Sequence, residues 1–183
     1  GYRIKMLYQL ELFYKSDEQM ILETEEYFNY LEKPNKAFSD MPVCPFLKPE
    51  RLSDRLMVRV WKPTVNSLNH LFQEFFDSKY NSALFICRDT KDIKWKDVSR
   101  DSYQKTIQRF LKPTEYKALC FSPYEKWSAG GEDTRKKSPY FLINVATKKE
   151  LSKAHRGLLK TKYFEKFNDE EIKRLKVYPK KKK

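Results

Sequence analysis

Apolar side chains recur along this chain with two periods, and the switches between them lay out the elements. Residues 2–14 place Tyr2, Ile4, Met6, Tyr8, Leu10, Leu12 and Tyr14 at every second position, which predicts a strand, although Leu7 and Phe13 on the other face keep a helix open. Ser16-Asp17 reads as a helix start; Met20, Thr24, Tyr27, Phe28 and Leu31 follow at helical spacing, and Pro34 ends the run. Pro34, Pro42, Pro45 and Pro49 mark residues 34–54 as an ordered, irregular crossing. Leu56, Val58 and Val60 alternate with Met57, Arg59 and Trp61 in a strand stopped by Pro63. Thr64 is read as the cap of a helix that turns Val65, Leu68, Phe72, Phe75 and Phe76 inward and His70 outward. Residues 82–87 form a short apolar strand. Asp101 begins a helix with Tyr103, Ile107, Phe110 and Leu111 inward, ended by Pro113. Residues 117–121 predict another strand, and Phe141, Ile143 and Val145 the last one. Thr147 with Glu150, and Asn168 with Glu171, have capping-box spacing ahead of two terminal helices.

Strands separated by helices imply crossover units, right-handed where the paired strands are parallel. The last two strands have no helix between them and are expected to pair antiparallel. The implied class is α/β (or α+β): a single domain over residues 1–177 with a mixed sheet flanked by helices, ferredoxin-like packing being one arrangement that fits. Residues 178–183 are expected to form a mobile basic tail. With 183 residues, 40% hydrophobic and 15% aromatic, the chain has the material for one proper core. No apolar run reaches eighteen residues, so no membrane span is expected.

Charge changes the picture. The net charge is +13, and it is concentrated: residues 1–54 hold 7 basic and 10 acidic side chains, whereas residues 55–183 hold 31 and 15. Such a surplus favours nucleic acid, another polyanion or an acidic protein surface, and it equally suits ordinary solvated faces. The densest part is Lys148, Lys149, Lys153, Arg156, Lys160, Lys162, Lys180, Lys181, Lys182 and Lys183. Tyr163, Phe164 and Phe167 lie among these cations, either to stack bases or to dock the terminal helices on the core. The run 179–183 also resembles a basic nuclear-localisation signal, so nuclear or organellar targeting stands beside the general expectation of a reducing, intracellular compartment.

Candidate chemistry is sparse. Cys44, Cys87 and Cys120 are odd in number and widely spaced, and His70 and His155 are the only histidines, so neither a disulfide framework nor a metal site is expected, and the identity of any cofactor is left open. Cys44 lies near Lys48 and Arg51, which would stabilise a thiolate, against the alternative of a small packing residue. The stretch 121–140 is the other candidate. It holds Trp127, the pair Gly130-Gly131, Glu132, Asp133, Arg135, Lys136 and Lys137. Glycines let backbone amides approach a ligand closely, and the three cations suit phosphate or carboxylate, while a solvated turn is about equally expected. It matches neither the Walker nor the dinucleotide glycine pattern.

Cys44-Pro45-Phe46, and later Ala129-Gly130, Asp133 and Ser138-Pro139-Tyr140, resemble the CPF and AG…D…NRSPYP segments of an uncharacterised bacterial domain family. Histidines of that family's FHP and LHL segments are replaced here, by Ser122 in Phe121-Ser122-Pro123 and within Leu142-Ile143-Asn144. The resemblance implies a shared site around Cys44 and the glycine loop, without the metal or proton chemistry those histidines would supply. Two functions follow as expectations. The first is a small binding or accessory protein whose basic C-terminal half contacts a polyanion, with nucleic acid as the leading partner. The second is a small-molecule enzyme with a pocket between the Cys44 turn and the Gly130-Gly131 loop, where Cys44, Asp133 and Arg135 are catalytic candidates and Arg51, Trp127, Gly130, Gly131, Arg135, Lys136 and Lys137 bind the ligand.

Overall fold

The computed structural model describes residues 1–3 and 14–175. Most of the strand expected over 2–14, and all of the tail with Lys180, Lys181, Lys182 and Lys183, lie outside the described residues. Helix α1 (Asp17–Glu32) begins where its cap signal stands: Ser16 Oγ accepts from Gln19 N at 3.1 Å, and Asp17 and Glu18 complement the helix N-terminus. Met20, Thr24, Tyr27 and Phe28 form its buried stripe. The proline-rich crossing holds two short strands, β1 (Pro34–Asn35) and β2 (Met41–Pro42), paired around a 3-10 turn at Lys36–Phe38, and then helix α2 (Leu47–Leu52).

The chain continues through β3 (Leu56–Trp61), α3 (Leu68–Phe76), β4 (Ser82–Cys87), α4 (Arg100–Leu111) and β5 (Tyr116–Phe121). A two-stranded hairpin follows, β6 (Ser128–Ala129) with β7 (Glu132–Asp133), and then β8 (Phe141–Thr147), α5 (Lys148–Leu159) and α6 (Asp169–Arg174). The main sheet has the order β3-β4-β8-β5. β3 and β4 are parallel, joined by α3; β8 is antiparallel to both of its neighbours, β4 and β5. The fold is therefore α/β with a mixed sheet flanked by helices, and the last two long strands pair antiparallel as expected.

Alternate residues of the strands feed two cores. Met57, Trp61, Phe85, Cys87, Cys120, Phe141, Ile143 and Val145 pack with Leu71, Phe72 and Phe75 of α3 and Ile107 and Leu111 of α4. Leu84, Ile86 and Leu142 pack on the opposite face with Met20, Tyr27 and Phe28 of α1. Both faces are thus covered by helices, which separates this arrangement from ferredoxin-like packing, where the helices share one face.

Two helix assignments differ from the pattern. Ser67, not Thr64, caps α3, accepting from His70 N at 3.1 Å, and Val65 is exposed ahead of the helix. Phe110 is exposed on α4, because the helix turns a glutamine face to the edge strand. Gln104 Oε1 accepts from Cys120 N at 2.8 Å and Gln108 Oε1 from Ala118 N at 2.6 Å, so the free edge of β5 is satisfied by side chains. Thr147 accepts from Glu150 N, whereas the reciprocal capping box forms at Asn168 and Glu171.

Phe72 is 4% exposed within the larger core, and His70 faces solvent. Phe72→Ala is expected to lower the unfolding free energy by about 3–5 kcal/mol. His70→Ala should change it by no more than about 0.5 kcal/mol. Denaturant titration of the two variants measures both.

Candidate anion-binding site

The segment from Ser122 to Tyr140 leaves the sheet at the end of β5 and returns at the start of β8, beside the end of β4. Gly130 and Gly131 have φ of +61° and +84° and turn the β6–β7 hairpin in two residues, since Ala129 pairs with Glu132. A Cβ on Gly130 would lie 2.3 Å from the Ala37 carbonyl oxygen, so the hairpin tip rests directly on the backbone of the proline-rich crossing. Glu171 of α6 holds the same hairpin. It is buried, and its carboxylate accepts from Ser128 Oγ at 3.0 Å, Gly131 N at 3.3 Å and Asn168 N at 3.0 Å. Burial alone pushes the Glu171 carboxyl up, but these hydrogen bonds outweigh it and leave it below its ordinary value. From α1, Tyr30 donates to Glu132 and Tyr27 Oη donates to the Thr134 carbonyl at 2.8 Å.

This anchoring sets Arg135 inside the protein. The residue is 8% exposed, its guanidinium lies 3.6 Å from the centre of the Trp127 ring and 4.6 Å from that of Phe121, and its buried Nη1 has no hydrogen-bond partner. Two further guanidiniums stand over the same indole: Arg100, at the first turn of α4, at 4.7 Å and Arg174, at the end of α6, at 4.8 Å. Each of these is tethered. Arg100 donates to the Cys120 carbonyl and to Gln104 at 3.2 Å each and contacts Asp101; Arg174 donates to the Ser128 carbonyl at 2.5 Å. With Ser122, Glu125 and Lys126, they line a recess of about 210 Å³. Its two carboxylates are committed to Arg100, Asp101 to the guanidinium and Glu125 to the backbone N–H at 2.8 Å. The buried Ser122 hydroxyl accepts from Tyr124 N, which leaves its proton to donate.

Burial first, and the charge of Arg100 second, push the Arg135 guanidinium down to about 9, so it still carries its charge at neutral pH. An aromatic face compensates a buried cation only partly. The recess therefore combines a buried cation without a carboxylate, two held guanidiniums and a hydroxyl, which is the donor set that an oxyanion needs.

The structure gathers some of the sequence candidates and disperses others. Trp127 and Arg135 line the recess, whereas Gly130 and Gly131 turn the hairpin and do not line it. Lys136 and Lys137 are exposed outside the recess, and Lys137 Nζ stands 4.2 Å over the Tyr30 ring. Asp133 accepts from Lys136 N at 3.2 Å and so shapes the turn. Arg51 is held by Glu32 through hydrogen bonds of 2.9 and 2.8 Å. Cys44 lines neither this recess nor the larger cleft described below. Burial pushes its thiol up, and Glu32 adds to the shift, the reverse of the activation that Lys48 and Arg51 suggest in sequence. Cys87 and Cys120 are buried in the core. Arg100, Arg174 and Ser122 were missed by sequence reasoning. Only the position of Arg100 at a helix start carries a local signal.

The basic C-terminal half is likewise divided. Lys149, Lys153, Arg156, Lys160 and Lys162 are exposed, whereas Lys148 Nζ donates to the Lys112 and Thr114 carbonyls. Tyr163 and Phe167 are buried with Phe38 in a third cluster that also takes in Phe164, so these aromatics dock the terminal helices. Among the described residues, no group of three or more His, Cys, Asp and Glu side chains is placed to hold a metal ion, and no helix is long and apolar enough to cross a membrane. No protein-family model matches the chain, and no curated protein or solved structure matches it significantly.

Two stability measurements test this geometry. Gly130→Ala combines a positive-φ penalty of about 1–3 kcal/mol with the Ala37 clash, whereas Gly131→Ala, whose Cβ meets nothing within 4 Å, carries the backbone penalty alone. Gly130→Ala is therefore expected to be the more destabilising. Arg135→Met keeps an aliphatic stem on Trp127 and removes the unpaired charge. In anion-free buffer it is expected to raise the unfolding free energy by about 1–3 kcal/mol.

Proposed function

We propose that this chain is an anion-binding protein that recognises a phosphate-type oxyanion in the recess formed by Arg135, Arg100 and Arg174 over Trp127. The observation that carries the reading is Arg135, a lining residue of that recess whose guanidinium has a buried Nη1 without a hydrogen-bond partner. A guanidinium taken out of water without a carboxylate costs stability unless something pairs with it, and groups perturbed in this way concentrate at functional sites. A bound oxyanion supplies the missing acceptor, and Ser122 and the tethered Arg100 and Arg174 add donors around it.

Nucleic acid enters this proposal as one source of phosphate. The exposed cations of α5, Lys149, Lys153 and Arg156, favour approach of a polyanion through long-range attraction. Base stacking on Tyr163 and Phe167 is not part of the reading, because those rings are packed.

The test is thermal unfolding in phosphate or sulfate against chloride of matched ionic strength. At an anion concentration ten times Kd, the native state gains about 1.4 kcal/mol. The expected result is a rise in Tm with phosphate and sulfate that Arg135→Met abolishes. No rise, or an equal rise in the variant, contradicts the proposal.

A further inference from the structure

A second, larger recess opens at the same end of the sheet, beyond the carboxyl ends of β3 and β4. It has a volume of about 550 Å³ and includes Arg88, Lys62, Lys91, Tyr14, Tyr124 and Tyr140 in its lining. Open α/β sheets bind ligands outside the carboxyl ends of their parallel strands, and the volume lies in the range of small-molecule sites.

Arg88 is the built element of this cleft. It is 7% exposed, and its backbone is fixed twice, its N–H donating to the Trp61 carbonyl at 2.9 Å and its own carbonyl accepting from Trp95 Nε1 at 3.0 Å. Nη1 donates to the Lys15 carbonyl and Nη2 to Asp17 Oδ1, both at 2.7 Å, while the buried Nε has no partner. The acidic groups nearby are committed: Asp17 to Arg88, Asp89 to Trp95 N at 2.9 Å, and Glu23 to Lys15 and Tyr140. Lys62 and Lys91 add positive charge to the same lining. The rings are accessible as well. Tyr14 is 56% and Tyr124 48% exposed, and the Arg88 guanidinium stands 4.7 Å over the Tyr14 ring.

A lone phosphate would leave most of this volume empty and the tyrosine faces unused. A neutral aromatic would leave Lys62 and Lys91 of the lining without an acceptor. We infer that the Arg88 cleft binds a nucleoside phosphate, its planar base stacked on the exposed tyrosines and its phosphate held by Arg88, Lys62 and Lys91. This site is separate from the Arg135 recess and does not depend on it.

Calorimetric titration of the full chain with adenosine 5′-monophosphate, adenosine and inorganic phosphate tests the inference. The monophosphate is expected to bind at least about tenfold more tightly than either fragment. Tyr124→Ala, a change on an exposed residue, should weaken it about tenfold without moving the unfolding midpoint. Arg88→Met should abolish it, although Arg88 also ties α1 to the sheet, so Tyr124→Ala carries the test where that variant fails to fold. Arg135→Met should leave monophosphate binding in place while removing the response to inorganic phosphate. The inference is overturned if, in Arg135→Met, the monophosphate binds no better than phosphate, or if its binding survives undiminished in Tyr124→Ala. A phosphate response without any gain from the base would leave the Arg135 reading standing alone.

Discussion

β8 lies between two strands that run opposite to it, so it enters the sheet at the edge where β4 and β5 leave. That pairing fixes the address of everything between Phe121 and Phe141. The connection has to turn back over the carboxyl ends of the parallel strands, where open α/β sheets leave room for ligands. It does so as a structured segment, with a glycine-turned hairpin clamped by Ala37 below, Glu171 from α6 and two tyrosines from α1. Both recesses open at this one edge.

The stack over Trp127 sets three like charges around one ring, each delivered by a different part of the chain: the first turn of α4, the hairpin segment and the end of α6. Such a grouping opposes folding. It is held because Arg100 and Arg174 are tethered through backbone carbonyls, while Arg135 is confined between Trp127 and Phe121. Positions where local charge works against stability are those where a bound partner most readily explains the arrangement. Arg88 repeats the theme on a smaller scale, with a buried guanidinium that has two nitrogens paired and one left over.

The scaffold was legible in the sequence where one period ruled. The stripe of Met20, Thr24, Tyr27 and Phe28 and the pair Phe72 and Phe75 needed only helical spacing, and Ser16 marked a true cap. Phe110 misled because two glutamines, not apolar residues, claim the face of α4 that meets the β5 edge. The hairpin has a local mark in Gly130-Gly131, a pair suited to a two-residue turn. The site itself was only half visible. Trp127 and Arg135 lie in one suspicious segment, but Arg100 and Arg174 reach them through tertiary packing that no local pattern encodes. Burial of an arginine also leaves no mark in composition. The same holds for Tyr163 and Phe167, whose company of lysines suggested solvent and whose rings close a core.

The most direct measurement is diffraction from crystals grown with tungstate, a heavy analogue of phosphate and sulfate located by its anomalous scattering. The account predicts a well-occupied site within hydrogen-bond distance of the Arg135 guanidinium, with Arg100, Arg174 and Ser122 around it. Tungstate found only at exposed lysines, with the recess over Trp127 unoccupied, would contradict it.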